Sequence, residues 1–365
     1  VTDKKPGSVL GAGSAEDRSP NETAGSPSSA GGTGGDGRSA PQPTAPAATK
    51  GGGLRLDVRL TGLFAVLVLL CVVGYLTRPD AFLTEGNLST ILRLAAAIGV
   101  VSVGMTFVIT TAGIDLSVGS MVALASVWMT TVATQSYGVG VMVLCALLVG
   151  LGAGLVNGIL IAYGRVVPFI ATLAMMVAAR GLAERISGRQ TQVIRDTAFL
   201  DFFRGSFLGV PVLVWMFLLV FAAGWVLLNR TTFGRRTFAV GGNPEAARLA
   251  GINVKRHVAL VYGLAGLCCG IAAIMVAART TSGASTNGLY YELDAIAAVV
   301  IGGTLLTGGR GSLLGTLIGV LIFTVLSNIF TLNNLETDIQ NIAKGVIIVV
   351  AVLLQYRTMN HPRTT

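Results

Sequence analysis

The chain has 365 residues, 52% of them hydrophobic and only 12% charged, with a formal net charge of +9 and a mean hydropathy of +0.73. A soluble domain carries roughly twice that charged fraction, so a water-soluble globule is excluded and lipid must cover much of the surface. The basic balance does not mark a nucleic-acid binder, because the excess lies in segments between apolar runs, with no basic stripe interleaved with aromatics.

Residues 1–53 are rich in Gly, Ser, Pro, Ala and Thr and almost lack large apolar side chains. Such a stretch buries too little surface to offset its ordering entropy, and it is expected as a disordered cytoplasmic tail. Residues 54–357 read as one transmembrane domain of about ten helices. The first span is 60–77, and Arg55 and Arg59 before it favour a cytoplasmic N-terminus. Spans two and three, 88–111 and 116–134, are separated by Ala112-Gly113-Ile114-Asp115, a break in an otherwise apolar stretch. Spans four and five, 139–163 and 167–186, lead into a polar segment, 187–210, and a sixth span, 211–229.

Segment 230–256 holds six Lys/Arg (Arg230, Arg235, Arg236, Arg248, Lys255, Arg256) against the single acid Glu245. The positive-inside rule places it in the cytoplasm, which is also where six crossings return the chain. Arg189, Arg195 and Arg204 fall in a loop that the alternation places outside, against that rule. Spans seven to ten are expected at 257–278, 293–306, 312–330 and 338–356, followed by a cytoplasmic tail, 358–365.

Three interruptions carry more information than the spans. Asp115, beside Thr110, Thr111, Ser117 and Ser120, is costly at membrane depth unless it faces protein or water; it reads as an N-cap of the third helix, as a pathway residue, or as both. In Gly241–Gly251, Asn243 suits a cap, Pro244 a first turn and Gly251 an end, predicting a two-turn cytoplasmic helix too short to stand alone. The glycines of 302–311 permit close backbone approach, and Arg310 marks the cytoplasmic edge or pairs with an acid. An internal repeat links Gly154-Leu-Val-Asn-Gly158 with Gly315-Thr-Leu-Ile-Gly319, and Ala179-Arg180-Gly181-Leu182 with Ala343-Lys344-Gly345-Val346. It pairs spans two to five with seven to ten, an odd shift that inverts the second copy, as transporters do.

No P-loop, H-E-x-x-H or G-x-S-x-G occurs, so the chain is expected to be neither an ATPase nor another enzyme. Cys71, Cys145, Cys268 and Cys269 lie in apolar runs without metal spacing, and His257 and His361 have no partner in sequence. No metal or cofactor is expected on the chain.

The stretch GMTFVITTAGIDLSVGS (Gly104–Ser120) resembles the most recognisable segment of ribose/xylose-type ABC sugar-importer permeases. Asn157–Leu173, Ala179–Leu182, Gly241–Gly251 and Ala298–Thr304 match the same family in order, so that the resemblance covers about 87–356 and leaves out the N-terminal tail. It implies an inner-membrane subunit whose helix arrangement is similar to the vitamin B12 importer class. The implied partners are a second permease copy or close paralogue, ABC ATPase subunits that hold ATP and magnesium, and an extracytoplasmic sugar-binding protein. Asn243, Pro244, Glu245, Ala246, Ala247 and Gly251 resemble the ABC coupling motif, without its downstream Leu-Pro. Thr106, Thr110, Asp115, Ser117, Asn157, Phe169 and Asp294 are candidates for the translocation pathway, and Gly113, Gly308, Gly309 and Gly311 for helix breaks. An ion-coupled secondary transporter or channel would share the inverted repeat and Asp115, but gives no reason for the short cytoplasmic helix.

Overall fold

The computed structural model describes residues 58–360, with side chains for 60–350; the predicted tail 1–53 and residues 361–365 lie outside the described residues. Helices α1 (Val58–Thr77) and α2 (Pro79–Phe82) lead into α3 (Glu85–Thr110), whose start is fixed by Thr84, its hydroxyl accepting the Asn87 N–H at 3.3 Å. Next come α4 (Val118–Met129), the single turn α5 (Val132–Gln135) and α6 (Val139–Ala162). Helix α7 (Pro168–Ser187) opens on a proline and closes on a left-handed Gly188.

The polar segment that follows is not plain loop. It holds strand β1 (Gln192–Val193), helix α8 (Thr197–Arg204) and strands β2 (Ser206–Phe207) and β3 (Val210–Pro211). Helix α8 forms because Asp196 caps it and Phe199 and Phe203, one turn apart, bury together. Helices α9 (Val212–Arg230), α10 (Thr232–Gly242), α11 (Pro244–Leu249) and α12 (Val254–Thr280) lead to strand β4 (Ser282–Gly283). The chain ends with α13 (Tyr291–Ile301), α14 (Leu313–Leu332) and α15 (Thr337–Asn360). The only sheets among the described residues are two short antiparallel pairs, β1 with β4 and β2 with β3.

Six helices (α1, α3, α6, α9, α12 and α14) are long and apolar enough to cross a bilayer, so this is an all-α polytopic membrane protein. Helices α7 and α15 have 20 and 24 residues and carry charges. The third and eighth predicted spans shrink to 12 and 11 residues in α4 and α13. At 1.5 Å per residue these reach about 16–18 Å, roughly half a hydrocarbon core. Phe64, Leu69 and Leu76 of α1 are exposed, as expected of a helix that lipid covers.

Helices α3 and α12 form the centre and run antiparallel, and close approach needs small residues. A Cβ on Gly104 would come within 2.8 Å of Ala265 Cα. Gly150, Gly154 and Gly158 recur every fourth residue on α6 and give its backbone the same proximity to α12; a Cβ on Gly154 would lie 2.8 Å from Gly266 Cα.

The main packing pairs obey a symmetry. Helix α6 lies on α12 as α14 lies on α3; α4 touches α12 as α13 touches α3. Helix α4 also holds α6 and α7, as α13 holds α14 and α15. Exchanging α3-α4-α6-α7 for α12-α13-α14-α15 therefore preserves these pairs, in line with the sequence repeat, although α6 also packs on α7 and, among the described residues, α14 has no equal contact with α15.

Candidate functional site

The symmetry places a break after each central helix. In the first, the chain leaves α3 at Thr110 and turns at Ala112 (φ 61°). Gly113 serves space rather than a special φ, because a Cβ there would lie 2.6 Å from the Tyr262 hydroxyl. Asp115 and Ser117 follow, both fully buried. Asp115 Oδ1 accepts from the Ser117 N–H at 2.9 Å and from its hydroxyl at 2.6 Å, while Asn157 Nδ2 on α6 donates to Ser117 Oγ at 2.8 Å. The N-cap position of α4 is Ser117, so Asp115 closes the turn just before the helix rather than capping it directly. Tyr262 on α12 and Thr172 on α7 both donate to the Ile114 carbonyl, at 3.4 and 3.3 Å.

The second break, 281–290, folds back into the protein. Asn287 Nδ2 donates to Ser126 Oγ on α4 at 3.1 Å, and Gly288 sits against Gly119 and Val122. Gly288 and Tyr290 are left-handed (φ 70° and 65°). The N-terminal turns of α4 and α13 thus meet: Gly119 leaves room for the Gly288 carbonyl and the Glu292 carboxylate. Arg180 on α7 donates to the carbonyls of Ser285 and Asn287. On the far side of α13, Lys344 Nζ of α15 binds Asp294 at 3.1 Å. Among the described residues, the side-chain polar atoms buried without a partner belong to these breaks: Asp115, Ser120 and Asn157 at the first, Arg279, Tyr291 and Glu292 at the second.

A third assembly joins the breaks to the basic segment. Asn243 caps α11, its Oδ1 accepting the N–H groups of Glu245 and Ala246 at 3.0 Å, and Gly251 ends it at φ 82°. Leu249 stands 80% exposed on this helix. Helix α10 before it is held to α12 by the Thr237–His257 hydrogen bond (3.0 Å) and reaches α3 through the tilted contacts of Phe233 with Phe107 and His257. Its last turn meets two other backbones. The Gly309 N–H donates to the Thr110 carbonyl at 2.9 Å, and a Cβ on Gly241 would lie 2.7 Å from Gly309 N and 2.9 Å from Thr110 C. The short exposed helix is thereby continuous with the first break and with the α13–α14 linker.

Residues 87–352 match the family model described as "Branched-chain amino acid transport system / permease component". The ribose import permease protein RbsC of Bacillus subtilis is 43% identical, over 80% of this chain and 91% of its own length. RbsC of Escherichia coli K12 is also 43% identical, over 80% and 92%. The chain belongs to this permease family. The L-arabinose ABC transporter permease protein AraH of Azospirillum brasilense is 39% identical, over 88% of this chain and 95% of its own length. No match was found among solved structures.

In the permease, the residues singled out by sequence fall into distinct places. Thr106, Thr110, Asp115, Ser117 and Asn157 are all fully buried, and Thr106 bonds Thr316 of α14 at 3.0 Å. Asp294 is buried beside Lys344, whereas Phe169 is half-exposed at the start of α7. Gly308 and Gly309 adopt φ 80° and 74°, and Gly311 fits against the Thr110 side chain. Arg310 is exposed and makes no ion pair with an acid among the described residues. In the sequence, Arg180 and Lys344 stood out only within the repeat and the family resemblance and Gly241 only as the start of the coupling segment, while Tyr262 and Glu292 were passed over. A cation in the interior of a predicted span was the available signal for the first two.

Proposed function

We propose that the permease is the membrane subunit of an ATP-binding-cassette importer for a monosaccharide of the ribose or arabinose kind, or a related polyol. The relatives' names support the substrate class. The observation that carries the mechanism is the glycine junction of Thr110, Gly241 and Gly309. In this reading α11 docks on an ATPase subunit through its exposed face, with Leu249 at the contact, and ATP and magnesium stay on that partner. Closure of the ATPases pushes α10–α11, and the junction passes the displacement to both repeats at once, biasing the permease between outward- and inward-open states.

The half-helices α4 and α13 count as membrane crossings in this reading, giving ten, with both termini in the cytoplasm of a bacterial inner membrane. The architecture is similar to that of the vitamin B12 importer class. A second permease copy or close paralogue completes the pathway, and an extracytoplasmic binding protein delivers the sugar. Sugar passes along the faces near Phe169, Leu293 and the neighbouring Asp294; Phe169 and Leu293 are half-exposed, unlike the fully buried group around Asp115. Co-purification tests the assignment: the ATPase subunit should stay bound to the wild-type permease and be lost from Leu249→Asp at unchanged permease stability. A permease that never retains an ATPase, yet transports, would instead be the ion-coupled carrier that the inverted repeat alone also allows.

A further inference from the structure

The unpartnered atoms at the first break share one chemistry. Asp115 is fully buried, its Oδ1 takes both hydrogen bonds from Ser117, and its Oδ2 has no partner. The ion pairs among the described residues are Glu245–Arg248 and Asp294–Lys344, so no cationic side chain neutralises Asp115. A lone carboxylate removed from water carries a cost that a protein meets with a counter-charge. Asn157 spends its Nδ2 on Ser117, which leaves its amide oxygen buried and unbonded. Ser120 lies three residues after Ser117 on the first turn of α4, hence on the same helix face, and its buried Oγ is also unpartnered. Asp115 and Asn157 thus meet at Ser117 Oγ, each with its second oxygen unbonded, and the unbonded Ser120 hydroxyl follows one turn later on the same helix.

We propose that the first break binds a hard monovalent cation, sodium or potassium, on Asp115 Oδ2, Asn157 Oδ1 and Ser120 Oγ. All three groups are oxygens, the donor type such ions prefer. A single carboxylate matches a single positive charge, and among the described residues no group of three or more His, Cys, Asp or Glu could hold a multivalent metal. Broken helices in transporters offer this kind of oxygen-lined site. The bound ion would neutralise Asp115 and pin the elbow between α3 and α4 onto α6. The site does not depend on the sugar or on the ATPase.

The test is thermal unfolding of the purified full-length permease in detergent, titrated with sodium or potassium chloride against choline chloride at constant ionic strength. Wild type should gain a few degrees in Tm, saturably, with one or both alkali cations and not with choline. The cation with the lower midpoint is the better ligand. Asp115→Asn should abolish the response. Ser120→Ala, which removes one oxygen from a helical position that alanine favours, should move the midpoint about tenfold higher; this variant decides the matter if Asp115→Asn does not fold. Identical Tm values in choline and both alkali chlorides would overturn the proposal and leave a bound proton as the neutraliser. So would a titration that Ser120→Ala leaves unmoved.

Discussion

Adjacent glycines at the end of α10 should respond to alanine in opposite ways. A Cβ at position 241 would sit 2.7 Å from Gly309 N and 2.9 Å from Thr110 C, whereas at position 242 the nearest atom, Gly309 Cα, is 4.0 Å away. Ordinary contact begins near 3.4 Å, and the Thr110 carbonyl oxygen lies nearer still to the added Cβ, so Gly241→Ala must push the backbones apart by more than the ~0.7 Å that Gly309 N alone would need. All the crowded atoms are main chain, and no rotamer can relieve them. The same shift stretches the 2.9 Å bond from Gly309 N to Thr110 O beyond hydrogen-bonding range. Overpacking costs about 1–3 kcal/mol, and losing the hydrogen bond of the part-buried Gly309 amide about 1 kcal/mol more. Gly241→Ala should therefore lower Tm by several degrees, and the junction should transmit poorly. In proteoliposomes holding permease, ATPase and binding protein, ATP hydrolysis should continue while sugar delivered per ATP falls several-fold; Gly242→Ala should match wild type in both. Equal sugar-to-ATP ratios in the two variants would refute the junction's role.

The Asp294–Lys344 pair has side chains only 10% and 20% exposed. Removing one partner strands a charge, so Asp294→Leu or Lys344→Met alone should cost about 3–5 kcal/mol, with most of it recovered in the double variant, read by thermal denaturation in detergent. At the α6–α12 crossing, Gly154→Leu should prevent recovery of a monodisperse protein by size exclusion, while Gly152→Leu, with nothing within 4 Å of its Cβ, should behave as wild type. Asn243→Ala removes the cap of α11 and should reduce transport with little change in Tm, and Asn243→Asp should restore uptake in the same assay because it keeps an accepting oxygen.

The parts of the fold legible in sequence are those set by local chemistry. The Asn-Pro at 243–244 and Gly251 announce α11 because cap, first turn and left-handed end each demand a particular residue type. The repeat was readable from Gly154 and Gly158 against Gly315 and Gly319, residues that the helix crossings require to be small. The half-length of α4 was not readable, because apolar residues surround the helix on both sides and hydropathy reports compatibility with lipid, not the path of the backbone, whereas the short eighth span, 293–306, already pointed to that of α13. Helix α8 was missed inside a polar segment, although its two phenylalanines one turn apart carried the signal. The meeting of Thr110, Gly241 and Gly309 joins positions far apart in the chain, and no local pattern encodes it. Gly241 was visible only as the first residue of the coupling segment, with nothing to mark its contact with Thr110 and Gly309.

Uptake of radiolabelled ribose and arabinose into proteoliposomes containing the permease, its ATPase and its binding protein tests the importer assignment most directly. Uptake of at least one sugar should require internal ATP and the external binding protein, and should persist when ionophores collapse the ion gradients. Uptake that survives ATP depletion and stops on collapse of an ion gradient would contradict the assignment.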